Sequence, residues 1–150
     1  MDPRIDSRDN INPSVGGAKD TGNPSEPFVI HESETPRESW DGIVSWHTLL
    51  SSDRTPTEGL TLGIAIIEPG ASVDGAIHHH SPHEAYYVIE GTGRVHLDGA
   101  ERFLEPGSAV FIPGGTRHFV INDGPGPLRL LYTFAINSFE DVEYHFPDRA

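Results

Sequence analysis

Residues 78 to 84 read HHHSPHE, four imidazoles and one carboxylate within seven positions. Side chains two apart on a strand share a face, so His78 and His80 can chelate one ion while His79 points the other way. A turn at Ser81 and Pro82 leads into the next strand, and Glu84 near its start can swing a carboxylate toward the same interior. A fourth donor has to come from a distant strand, and PGGTRHFVIN offers His118 just after a glycine-rich turn. Neutral imidazoles with a carboxylate suit Zn, Fe, Mn, Ni or Cu, and a chain without cysteine has no thiolate for a soft-metal site. The expected cofactor is one divalent transition metal, with positions left for water or substrate.

Short strands must position these residues. Between turn signals the chain shows apolar runs of about four to eight residues, among them LTLGIAII, EAYYVIEG, GRVHL, AVFIPGG, RHFVIN and LRLLYTFAI, with no period of 3.6. Asp98-Gly99 predicts a type I′ hairpin. Many short strands joined by Gly and Pro turns define an all-β sandwich or closed barrel. Opening strands are expected in PFVIHESE and WDGIVSWHTLL, with a helical turn the alternative for SWHTLL, and a last strand in VEYHF. Residues 1–27, rich in Asp, Asn, Pro, Gly and Ser, read as a flexible, disordered tail, and residues 28–150 as one barrel domain.

Ten Lys and Arg against 23 Asp and Glu leave a net charge of -13, which disfavours nucleic acid and anionic membrane surfaces as partners. The first residues carry no apolar leader, and no stretch approaches a membrane span, so a cytoplasmic location is expected.

The spacing of these residues resembles the double motif of the cupin superfamily, Gly-x5-His-x-His-x3-Glu-x6-Gly followed by Gly-x5-Pro-x-Gly-x2-His-x3-Asn. His78, His80, Glu84 and Gly91 fit the first half; Gly107, Pro113, Gly115, His118 and Asn122 fit the second. The leading glycine is replaced by Ser72, which touches a turn and not a ligand. The resemblance covers about residues 60–136 and implies a double-stranded β-helix, the cupin jelly roll, holding one metal on His78, His80, Glu84 and His118. It also implies a homodimer as the common assembly. Histidines clustered in a loop are more often merely solvated, and it is Glu84 and His118 at the family spacing that favour a metal site.

His79 and His83 do not fit the motif and are expected at the rim, and His47, His96 and His145 read as ordinary strand or surface residues. Arg117 is expected to face outward into a salt bridge, and Trp40 and Trp46 to serve packing. Tyr86, two residues after Glu84, points inward, where a phenol beside a divalent cation can lose its proton and act as a general base; equally, it can simply fill the barrel wall. Among small cupins the chain resembles the dimethylsulfoniopropionate lyases, to which His78, His80, Glu84, Tyr86 and His118 are similar residue by residue. That resemblance implies a lyase that acts on a small organic acid, with Tyr86 removing the α-proton and dimethyl sulfide leaving. The same ligands also suit a mononuclear iron dioxygenase, in which Tyr86 only orients a ligand, or a non-catalytic cupin that binds a sugar or effector.

Overall fold

The computed structural model describes residues 21–71, 79–80 and 82–145, His79 and His80 by their backbone only. Most of the expected tail, residues 1–20, and the expected ligand His78 lie outside the described residues. The strands are β1 (Glu38–Trp40), β2 (Val44–Leu50), β3 (Thr61–Ile67), β4 (His79–His80), β5 (Glu84–Glu90), β6 (Gly93–Leu97), β7 (Ala100–Leu104), β8 (Ala109–Ile112), β9 (His118–Ile121), β10 (Leu128–Phe134) and β11 (Tyr144–His145). They form a six-stranded sheet in the order β1-β2-β3-β10-β5-β8, a three-stranded sheet β7-β6-β9, and the short pair β11-β4. Among the described residues every pairing is antiparallel. Among the described residues no helix is long and apolar enough to cross a membrane.

Alternation along the strands builds the core. In β10 Leu128, Leu130, Tyr132 and Phe134 are buried, and in β5 so are Glu84, Tyr86 and Val88. The register sets Tyr132 beside Tyr86 and Phe134 beside Glu84. A one-residue slip of β10 would turn all four of its buried side chains outward, losing roughly 1.5–3 kcal/mol for each large apolar group while leaving the ladder intact, so side-chain burial fixes the register. Val95, Leu104 and Val120 of the smaller sheet join Ile67, Ile112, Leu128 and Phe134 of the larger one in a single cluster. Trp46 belongs to that cluster and Trp40 packs against it, which is the packing role expected of both.

Turn chemistry behaves as the sequence predicts at Asp98 and Gly99, whose φ angles of 46° and 89° make the β6–β7 connection a two-residue hairpin. SWHTLL is strand, inside β2. The strand expected in PFVIHESE is absent. Val29 is 97% exposed and has no apolar surface to cover. The chain instead makes a 3-10 turn at Glu32–Glu34, in which the His31 ring accepts the Ser33 N–H and Glu34 accepts the His31 N–H. Local polar bonds outcompeted the β-favouring residues there.

Asn122, the last residue of the second motif, is a fastener. Buried to 1% exposure, it donates to the carbonyls of Ile67 and Gly126 at 2.8 and 2.9 Å and accepts the Gly124 N–H at 3.0 Å. Gly91 has φ 84°, and a Cβ there would stand 2.3 Å from the Pro127 carbonyl oxygen, so only glycine lets this turn seat on the start of β10. Asn122→Ala is expected to orphan buried carbonyls and lower stability by roughly 2–4 kcal/mol. Urea unfolding followed by circular dichroism measures it, and a loss under about 1 kcal/mol would show that water replaces the amide.

Candidate metal centre

Glu84 opens β5 and His118 opens β9, so one donor comes from each facing sheet. Their exposures are 2% and 0%, and Glu84 Oε1 lies 3.2 Å from His118 Nε2. The Thr116 carbonyl accepts the His118 Nδ1–H at 2.8 Å, which fixes the tautomer and aims the Nε2 lone pair toward Glu84. Burial lowers the His118 pKa and outweighs the Glu84 carboxylate and the Thr116 carbonyl, which act in the opposite direction. The imidazole is therefore neutral, as a ligand must be.

A lone pair and a carboxylate oxygen held close in a buried place are the donor chemistry of a divalent cation. At a separation of 3.2 Å the two donors are close enough that both could reach one ion. The residues present thus fit a divalent transition metal. Of the four expected ligands, the structure brings Glu84 and His118 together. His80 is placed by its backbone, in β4, paired with Tyr144, and His78 is outside the described residues. Among the described residues no group of three or more metal-ligating side chains gathers.

Tyr86 faces inward as expected, 2% exposed, its ring 6.5 Å from that of His118 and edge-on to it. Its pKa is raised well above the ordinary phenol value, first by burial, then by the charge of Glu84. The phenols of Tyr144 and Tyr132 add to that effect. Without a cation beside it, Tyr86 keeps its proton. Tyr132 and Tyr144 are the neighbours that the sequence reading passed over. Strict alternation through LRLLYTF places Tyr132 inward opposite Tyr86, so that signal was present; the pairing of Tyr144 with His80 had none.

The other candidates settle into structural places. His47 bonds Thr35 at 3.0 Å, and His96 stacks on Phe119 at 4.7 Å and accepts the Gly99 N–H. His145 lies exposed in β11. The Arg117 backbone exchanges two bonds with Asp98, through the Asp98 carboxylate and the Arg117 carbonyl.

Because His118 is held neutral, the unfolded chain binds a proton in a range where the folded chain does not. Its stabilising contribution is complete above the unfolded value of about 6.5 and is lost as pH falls from there through the lower folded value. Chelator-treated protein is expected to lose stability as pH falls below about 7, and His118→Asn, which keeps a donor for Thr116, to show a shallower slope. Equal slopes in urea titrations of the two proteins would contradict a neutral His118.

An all-β jelly roll with a buried imidazole and carboxylate converging from opposite sheets is a cupin type of arrangement. The Cupin domain family matches residues 63–134, and the chain belongs to the cupin superfamily. Dimethylsulfoniopropionate lyase DddW of Ruegeria pomeroyi is 39% identical over 105 residues, which cover 70% of this chain and 67% of that protein. The mannose-1-phosphate guanylyltransferase of Escherichia coli is 29% identical over 79% of this chain, which spans only 24% of that enzyme. The polyketide cyclase RemF of Streptomyces resistomycificus superposes with a TM-score of 0.68 over 83% of this chain and 89% of its own, at 20% identity, a likeness of fold.

Proposed function

We propose that this cupin is a lyase that eliminates dimethyl sulfide from dimethylsulfoniopropionate, leaving acrylate. The observation that carries the reading is the 39% identity to DddW over 70% of the chain. The site supports it: Glu84, Tyr86 and His118 sit together, buried, on the inner face. His78, His80, Glu84 and His118 would hold one divalent metal, which when bound supplies a Lewis acid that lowers the pKa of nearby protons.

The remaining chemistry belongs to the chain. Tyr86, once ionised, takes the proton from the carbon next to the substrate carboxylate. The C–H electron pair becomes the new double bond, the Cβ–S bond breaks with its pair going to sulfur, and the sulfonium leaves as neutral dimethyl sulfide. Glu84 precedes Tyr86 by two residues on the buried face of β5 and would serve as a ligand, while its charge acts on the phenol. Trp46, Tyr132, Phe134 and Phe139 share the interior with Tyr86, and their ring faces suit a sulfonium cation. The direct test is a headspace assay for dimethyl sulfide with metal-loaded protein; no release above the protein-free control would remove the lyase reading and leave fold and donor pair standing.

A further inference from the structure

His83 was expected to be a rim residue outside the motif, and it is exposed. Its ring nevertheless does something specific. Nδ1 accepts the backbone N–H of Gly114 at 2.8 Å, and the ring lies 5.4 Å from that of Phe111.

The reason lies in the ladder between β5 and β8, which runs from Tyr87 opposite Ala109 to Glu84 opposite Ile112. The next residue after Ile112 is Pro113, which has no N–H to donate. Gly114 is the next donor, and a side chain receives it. The His83 imidazole thus extends the pairing past the proline.

That bond joins the two loops that deliver the ligands. His83 immediately precedes Glu84. Gly114 lies in the turn closed by Thr116 N–H to the Pro113 carbonyl at 3.1 Å, and the Thr116 carbonyl orients His118. We propose that His83 is a positioning residue, its Nδ1 clamping the Glu84 loop to the His118 loop and thereby setting the 3.2 Å spacing of the two donors and the affinity for a divalent cation. An exposed bond of this kind adds little to global stability. Its effect falls on the geometry of the donors. The proposal rests on the metal reading of this site.

Two substitutions isolate the acceptor. His83→Ala removes it, whereas His83→Asn puts an amide oxygen where Nδ1 stood. Full-length protein is followed by hydrogen exchange at the Gly114 amide in the metal-free state, and by cobalt(II) titration read from its visible ligand-field bands. His83→Ala is expected to speed Gly114 exchange and weaken cobalt binding about 10-fold, the usual lower bound for losing a group that orients a ligand. His83→Asn is expected to restore both to near the wild-type values. Unchanged exchange in His83→Ala would show that the bond does not hold in solution. Faster exchange with unchanged cobalt affinity would overturn the positioning role alone, and so would failure of His83→Asn to rescue, which would assign the effect to packing on Phe111. A wild type that takes up no cobalt would overturn the metal reading itself, and the clamp's part in it.

Discussion

Tyr86→Phe is expected to fold, keep its metal, and lose dimethyl sulfide release by about 100-fold or more, the lower end of what removing a general base costs. The substitution deletes one hydroxyl and leaves the ring, its edge-on contact with His118 and the candidate ligands in place. Burial and Glu84 hold the proton on this phenol, so ionisation limits the reaction on the acid side. Wild-type turnover should therefore rise as pH rises, and the Phe variant should lose that rising limb. A fall in kcat with little change in KM is the pattern of a group that acts in the transition state. A dioxygenase built on the same donors would instead consume oxygen with its own substrate and respond only modestly to the lost hydroxyl. Elimination at the wild-type rate in Tyr86→Phe would exclude the phenol as base.

Strands that bury one face were legible because the period of two is imposed by burial. GRVHL is β6 itself, and LRLLYTFAI contains the whole of β10. The hairpin at Asp98-Gly99 was legible because few other residue pairs accept two positive φ angles. PFVIHESE misled because β-favouring residues pair only when a partner edge and a buried face are available, and here a His31 cap and an ion pair between Glu32 and Arg129 held the segment instead. The meeting of Glu84 with His118 was legible only through motif spacing. Their contact joins residues 34 apart in the chain, on two different sheets, and no local pattern encodes that. The His83 bond was hidden for another reason, since it depends on where a proline interrupts a ladder whose register cannot be read from either strand alone.

His80→Ala is the change expected to cost the most metal. The β4 backbone that carries His80 pairs with β11 at Tyr144, and this ladder uses main-chain groups, so removal of the imidazole leaves the pairing and the fold intact. Near-ultraviolet circular dichroism should match the wild type. What is lost is one of the four proposed donors, and losing a ligand should exceed the roughly 10–100-fold that accompanies loss of a group merely orienting one. Equilibrium dialysis with elemental analysis is expected to find about one divalent ion per wild-type chain and a loss of more than about 100-fold in affinity in the variant. Wild-type occupancy should itself decline below about pH 6, because an imidazole must be neutral to bind and protons then compete for His78, His80 and His118 alike. The variant has one fewer histidine in that competition, so its residual binding should depend less steeply on pH. Full occupancy in His80→Ala with an unchanged pH profile would remove His80 from the ligand set and require a donor other than the one the motif spacing points to.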